Sequence, residues 1–189
     1  MENKVVNIYT ESNPNPNSLK FCVDFLLLPE GKSIDFADLN AARISPLATE
    51  LFQFSGVKRV FYASNFVTVT KEEQTSWEDL SPILKAHIKA YLESGKKLMF
   101  QENASEESSG DEPEIVIRIK TLLDEYIRPA VEQDGGAITF HSFEEGTVKV
   151  LLQGSCSGCP SSTMTLKAGI QNLLTRMIPE VKEVIAEGI

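Results

Sequence analysis

The chain has 189 residues, of which 42% are hydrophobic and 24% charged, a composition close to the average of globular proteins. Its 18 basic and 27 acidic residues give a net charge of -9, which argues against nucleic-acid binding because phosphates require a basic surface. No apolar run approaches the roughly 18 residues that a membrane-spanning helix needs, so a membrane protein is not expected either.

The first residues and the cysteine count predict a cytoplasmic protein. Residues 5–9 read as a strand, and they show neither the apolar segment of a secretory signal nor the Arg-rich composition of an organelle leader. A secreted disulfide scaffold would use more than three cysteines, and two of the three are only three residues apart. Unless processing has removed a leader, we expect a cytoplasmic location and reduced thiols that are available to metal.

Residues 1–100 read as a small α+β domain whose sheet is built from two main apolar stretches. Residues 19–28 predict one strand. Residues 57–70 predict a hairpin that turns at residues 63–65, where Ala-Ser-Asn interrupts the apolar run.

Two helices are predicted in the same domain. Ser45-Pro46 marks the start of the first, because serine is a favoured N-cap and proline is favoured at the first helical position. The second extends from about Ser76 to Ser94, since apolar residues recur there every three or four positions on one stripe: Trp77, Leu80, Leu84, Ile88 and Tyr91.

Residues 101–113 predict an acidic flexible linker. They contain five acidic residues, no basic residue and one small apolar residue. Such a segment buries too little surface to offset the entropy of ordering it, and its like charges favour an extended chain. The linker divides the chain into domains at 1–100 and 114–189.

The second domain is predicted to begin with an amphipathic helix that Pro129 kinks or restarts and that Asp134-Gly135-Gly136 ends. Its apolar stripe is Ile115, Ile119, Leu122 and Tyr126. We expect core packing for Tyr126, as for Trp77 in the first domain. A helix stop with positive φ explains Gly135 or Gly136 without any functional site.

A hairpin and a last helix complete the predicted second domain. Apolar residues alternate with polar ones before and after Glu144-Glu145-Gly146, which predicts two strands joined by that turn. A helix should extend from about Ser161 to Ile178, with the stripe Leu166, Ile170, Leu173 and Met177, and residues 181–186 should add a short strand. The predicted fold is α+β in both domains, the second being helix-hairpin-helix with a small sheet.

The chemistry of the chain is expected in Cys156 and Cys159. They lie between a predicted strand and a predicted helix, where backbone N–H groups and the helix dipole favour a thiolate. Gly154 and Gly158 allow the backbone to approach a bulky inorganic group. Their spacing of three residues directs both sulfurs to one centre, so we predict that these two cysteines bind metal.

Other interpretations of the C-x-x-C pair remain open at this point. Two packed structural cysteines are disfavoured because a glycine-rich loop is usually exposed. A thioredoxin-type dithiol is disfavoured because only residues 179–189 follow the last helix, too few for the rest of that fold. Zinc and an iron-sulfur cluster both take four ligands, whereas one chain offers two, so a two-fold dimer is expected to supply the second pair.

The remaining cysteine and the two histidines are not expected to be ligands. Cys22 lies in a predicted strand of the first domain, where burial is the expected role. His87 falls on a predicted helix between lysines and His141 on the polar face of a strand, so both are expected to be solvated.

Motifs along nearly the whole chain resemble those of one protein family. In residues 114–187 they are Leu123-Asp124-Glu125-Tyr126-Ile127-Arg128-Pro129, Asp134-Gly135-Gly136, Gly154-x-Cys156-x-x-Cys159-Pro160-Ser161-Ser162 and Ile178-Pro179-Glu180-Val181. In residues 7–95 they include Thr10-x-x-x-Pro14-Asn15, Ser45-Pro46-Leu47-Ala48 and Asn65-Phe66-Val67-Thr68-Val69. The chain therefore resembles the NifU-like (Nfu) iron-sulfur cluster scaffold and carrier proteins.

The resemblance implies a non-enzymatic carrier of a [4Fe-4S] cluster. Cys156 and Cys159 of two chains would hold the cluster in a homodimer and hand it to apo-proteins, after upstream assembly proteins supply it. Spacing alone would equally allow [2Fe-2S] or zinc. The additional scaffold and ferredoxin-like domains of longer NifU proteins have no counterpart in this sequence, which favours general cluster maturation over nitrogenase-specific work.

Two functions of other classes compete with the carrier: a thiol-disulfide oxidoreductase and a zinc-bridged structural dimer. For the first domain, which offers no ligand set of its own, we expect a role in partner recognition, with bracing of the second domain as the alternative.

Overall fold

The computed structural model describes residues 5–100, 113–156 and 160–188, with the side chains of residues 160–163 outside the description. The chain divides into two compact units, Met1–Glu102 and Asn103–Ile189. Each unit combines helices with a sheet, which confirms the predicted α+β class. The predicted linker falls almost entirely on residues outside the described part of the chain, so it stays a prediction.

The first unit is built on an antiparallel five-stranded sheet with the order β1-β2-β5-β4-β3. Its strands are β1 Ile8–Ser12, β2 Ser18–Val23, β3 Ser33–Phe36, β4 Val57–Ala63 and β5 Phe66–Lys71. The hairpin of β4 and β5 closes with Ala63 opposite Phe66, which confirms the predicted turn.

Helices cover one face of this sheet. A 3-10 helix at Ala41–Ile44 precedes α1, Pro46–Leu51, and α2 extends over Trp77–Glu93. The predicted N-cap of α1 is confirmed, because Ser45 Oγ accepts the Ala48 N–H at 3.2 Å. Ser76, the predicted start of the second helix, also acts as an N-cap, since its Oγ accepts the Glu78 N–H at 3.1 Å.

The predicted stripe of α2 supplies part of the core of the first unit. Leu80, Leu84, Ile88 and Tyr91 are buried, as the spacing predicted. Trp77 is half-buried against the same core, and its indole N–H donates to the Pro16 carbonyl at 3.0 Å.

The second unit begins with three consecutive helical segments and continues with a hairpin, a helix and a strand. They are α3 Glu114–Leu122, a π-helical segment Leu123–Ile127, α4 Arg128–Gln133, β6 Gly136–Glu144, β7 Thr147–Gly154, α5 Pro160–Met177 and β8 Glu183–Gly188. The sheet has the order β6-β7-β8, with β6 antiparallel and β8 parallel to β7. The hairpin turn carries positive φ at Glu145 and Gly146.

The π-helical segment changes which residues face the core. Ile119, Leu123 and Ile127 are buried at successive steps of four, whereas Tyr126 is 58% exposed. The prediction that Tyr126 packs in the core is therefore wrong. A π turn closes its hydrogen bond over five residues, so the buried face advances relative to the stripe that an α-helix would give.

The last helix also departs from its predicted stripe. Ile170 is buried as expected, but Leu174 and Ile178 complete the buried row, and Met177 is 46% exposed. Leu166 and Leu173 are half-buried at the margin of the core. The apolar face of α5 is wide enough to allow either row, and the tertiary packing selects one of them.

Candidate functional site

Cys156 follows the carboxyl end of β7 by two residues and is held by contacts to the turn between α4 and β6. Gly154, with φ 66°, ends the strand. The Ser155 N–H then donates to the Gly135 carbonyl at 3.3 Å, and the Ser155 hydroxyl donates to the Asp134 carbonyl. The segment that carries the first predicted ligand is therefore tied to the helix stop at residues 134–136.

The Cys156 side chain is buried. Only 3% of the residue is exposed, and it belongs to the hydrophobic core of the second unit. The expectation that this glycine-rich loop exposes its cysteines is wrong for Cys156, because the side chain turns inward after β7 and not outward to solvent. Burial of this cysteine is what the alternative of packed structural cysteines predicted.

Gly136 makes the room that the Cys156 sulfur occupies. A Cβ atom at this position would lie 2.8 Å from Cys156 Sγ and 2.6 Å from the carbonyl oxygen of Gln153. Gly135, with φ 78°, is the residue that ends α4, so the predicted helix stop with positive φ is confirmed there. The two glycines thus have different roles, and the contact between Gly136 and Cys156 was missed by the sequence reasoning.

The second predicted ligand, Cys159, lies outside the described residues, as do Ser157 and Gly158. Helix α5 begins at Pro160, so the described backbone agrees with a strand, a short connection and a helix around the pair. Within residues 5–100, 113–156 and 160–188, no group of three or more His, Cys, Asp or Glu could hold a metal ion.

Cys22 lies in β2 and is 2% exposed, as predicted for a buried strand cysteine. Burial raises the pKa of its thiol to about 11. At neutral pH the Cys22 thiol is therefore protonated, whereas a metal ligand must be a thiolate.

The two histidines differ in their surroundings. His87 Nε2 lies 2.9 Å from Glu50 Oε2, and its ring packs edge-on against Phe54. The side chain is 30% exposed, so His87 is only partly solvated and lies against Glu50 of α1. His141 is exposed on β6, as predicted.

None of the described helices is both long enough and apolar enough to cross a membrane.

Two family models match the two units. The model described as "Scaffold protein Nfu/NifU N terminal" matches residues 8–95, and the one described as "NifU-like domain" matches residues 119–185. A human protein named "NFU1 iron-sulfur cluster scaffold homolog, mitochondrial" is 48% identical over 94% of this chain and 70% of its own length. The chain belongs to the Nfu/NifU family.

Further relatives of this Nfu/NifU chain have the same name. The Drosophila persimilis protein is 46% identical over 94% of the chain, and the chain spans 64% of that relative's length. A solution structure of a NifU-like protein from Saccharomyces cerevisiae has a TM-score of 0.48 and 25% identity, and the match covers 54% of this chain and 91% of that one.

The names of these relatives correct the expected location. They are described as mitochondrial, which contradicts the cytoplasmic assignment made from the sequence. That assignment depended on the first residues and on the cysteine count, and neither determines the compartment.

Proposed function

We propose that this Nfu/NifU chain is a non-enzymatic scaffold that holds an iron-sulfur cluster between two chains and passes it to apo-proteins. The ligands are Cys156 and Cys159 of each chain. The observation that carries the proposal is the position of Cys156 between the carboxyl end of β7 and the start of α5, inside the part of the chain that matches the NifU-like domain. Relatives named iron-sulfur cluster scaffold support the choice of cargo.

The buried sulfur of Cys156 must leave the core before it can bind a cluster. Exposing a side chain as small as cysteine costs about 1 kcal/mol, less than the roughly 1.5–3 kcal/mol of a large aliphatic side chain. The free energy of forming four thiolate bonds to a metal centre is far larger, since binding of zinc to structural sites releases on the order of 10 kcal/mol. Burial in the unloaded chain is therefore compatible with ligation, and it shields the thiol from oxidation until cargo arrives.

Ligand number explains why two chains are needed and how the cargo leaves. Two thiolates from one chain half-ligate a cluster, and a two-fold related chain completes the set of four. The family resemblance favours [4Fe-4S], although [2Fe-2S] takes the same four ligands. Transfer is then ligand exchange, in which the thiols of an apo-protein replace those of the scaffold, and Cys156 returns to the space beside Gly136.

Anaerobic reconstitution of the full chain with iron and sulfide tests the proposal. We expect a broad absorption that extends into the visible region, with iron and sulfide near two of each per chain for a shared [4Fe-4S] cluster. Sedimentation at equal protein concentration should show that loading drives dimer formation. A colourless protein that contains zinc, or one that contains no metal and cycles a disulfide, would favour the alternatives, and a monomer holding a complete cluster would refute the shared site.

Cysteine variants assign the ligands. Cys156→Ser and Cys159→Ser should each lose the absorption, whereas Cys22→Ala, the matched control for a buried thiol in the other unit, should keep it. Because Cys156→Ser places a hydroxyl in the core, at a cost of about 1–3 kcal/mol, circular dichroism must show that the variant is folded. Loss of the cluster from Cys22→Ala with retention in Cys156→Ser would overturn the assignment.

A further inference from the structure

Strand β1 leaves one edge of the first sheet open. It pairs with β2 on one side, and it is the terminal strand of the sheet in the described residues. Edge strands are commonly protected by proline, lysine or a bulge. The sequence of β1, Ile-Tyr-Thr-Glu-Ser, has neither proline nor lysine, and its register with β2 shows no bulge. The edge is therefore available for pairing with a further strand.

The pairing pattern identifies the backbone groups that point to this open edge. The Val23 N–H donates to the Asn65 carbonyl at 2.9 Å, on the side of β5. Because the direction alternates along an antiparallel strand, Cys22 turns its N–H and C=O toward β1, where it faces Tyr9. The N–H and C=O of Ile8 and Thr10 consequently point away from β2.

A groove lies beside this edge. It has a volume of about 560 Å³ and is formed by residues 6–9 and by one side of α2, namely Pro82, Lys85, Ala86 and Lys89. Spacings of three and four place these helical residues on one face. A strand added to β1 would therefore have one row of side chains against α2. The other row would pass Tyr9, which is 50% exposed and shares with Cys22 the face of the sheet opposite α2.

The charge of the groove favours an acidic occupant. Lys85 makes no ion pair with a described residue, and Lys89 is 3.8 Å from Glu93, which also accepts the Val6 N–H at 3.3 Å. Of the carboxylates near β1, Glu11 pairs with Lys20 at 3.2 Å, whereas Asp24, which follows β2, accepts a hydrogen bond from the Asn7 amide at 2.8 Å and keeps its negative charge. Two lysines one helical turn apart thus line the groove, and Lys85 forms no ion pair within the part of the chain that the structure describes.

We propose that the open edge of β1 and the adjoining face of α2 bind an acidic, extended segment of a partner protein by strand addition. Main-chain hydrogen bonds to Ile8 and Thr10 hold the segment, and its carboxylates reach Lys85 and Lys89. This inference gives the expected recognition role of the first domain a location and a chemistry. It does not depend on cluster binding, so its failure would leave the proposed cargo chemistry untouched.

A capped ten-residue peptide that alternates valine and glutamate is a suitable probe for titration of the full chain without cargo. Binding should shift the amide resonances of Ile8 and Thr10. A peptide with lysine in place of glutamate should bind at least about tenfold more weakly, because its charges are repelled by Lys85 and Lys89. Equal binding of both peptides, or shifts confined to other surfaces, would overturn the proposal.

Two variants and one control test the two parts of the site separately. Thr10→Pro removes an outward N–H without touching the β1–β2 ladder, and the double variant Lys85→Glu/Lys89→Glu reverses the charge. Each change should lower the affinity for the glutamate peptide at least about tenfold. Lys58→Glu, at an exposed position on β4, is the control and should change that affinity less than about twofold. Unchanged binding by the lysine variant would refute an acidic partner, even if Thr10→Pro failed to fold. If the chain dimerises in the absence of peptide and Thr10→Pro makes it monomeric, the edge binds a second copy of the chain. That result would overturn the proposal.

Discussion

Replacing Gly136 by alanine tests the packing of the candidate site most directly. The new methyl group would lie 2.8 Å from Cys156 Sγ and 2.6 Å from the Gln153 carbonyl oxygen, both well inside van der Waals contact. The oxygen belongs to β7, whose ladder with β6 restrains it, so the strain cannot be relieved by rotating a side chain.

We expect Gly136→Ala to lower the free energy of unfolding by about 2 kcal/mol. Overpacking of a core costs about 1–3 kcal/mol, and a backbone contact belongs near the upper end of that range. Alanine restricts the unfolded chain more than glycine does, and this effect offsets about 0.4–1 kcal/mol of the lost stability. It applies here because Gly136 is a strand residue outside the positive-φ region that disfavours alanine. Relief of the clash by moving Cys156 outward would also make its thiol react faster with an alkylating reagent.

Denaturant unfolding of the full chain measures the free energy, with near-ultraviolet and amide signals assigned to the second unit, because two units need not unfold together. Gly169→Ala in α5 is the matched control: a Cβ at Gly169 meets no atom within 4 Å, so alanine should stabilise the helix by up to about 1 kcal/mol. Equal stability of Gly136→Ala and the unmodified chain, together with unchanged alkylation of Cys156, would refute the close-packed arrangement.

Because the folded Cys22 thiol has a pKa of about 11, above the ordinary value of 9.0, its contribution to the free energy of unfolding should be constant below about pH 9 and fall as the pH rises toward 11. Cys22→Ala should flatten that decline, and an identical alkaline profile in the variant would contradict the assignment. Arg59→Met should lower the free energy of unfolding by about 3 kcal/mol, measured by thermal or denaturant unfolding. The change leaves the Asp35 carboxylate, whose side chain is 8% exposed, without its bidentate partner. A loss under about 1 kcal/mol would mean that water replaces the arginine. Tyr126→Ala should change stability by less than about 0.5 kcal/mol, whereas Ile127→Ala should cost about 2–4 kcal/mol; similar losses from both would show that the π-helical segment does not set the buried face as described.

Local signals explain which elements could be predicted from the sequence. The Ser45 cap, the hairpin of β4 and β5 and the stripe of α2 each depend on residues within a few positions of one another. The pattern of β3, Ser33–Phe36, is too short to show a period, and its existence depends on pairing with β4 more than 20 residues later in the chain. Short strands of this kind are fixed by tertiary contacts and not by local preference.

The candidate site divides in the same way. The position of Cys156 after a strand followed from local alternation, whereas its burial depends on Gly136, 20 residues earlier in the sequence. The exposure of Tyr126 depends on one π turn, which no periodicity rule for α-helices anticipates. In both cases the error came from a contact or a geometry that is not encoded in the spacing of neighbouring residues.

The parallel pairing of β7 and β8 has a practical consequence for anyone who purifies this protein. Gly188 lies beside Leu152, so β8 ends at the same end of the sheet from which β7 leads to Cys156. A histidine-rich tag placed directly after β8 would therefore lie close to Cys156, and its imidazoles would compete for the same ions as the thiols. Metal counts should be made on protein without such a tag.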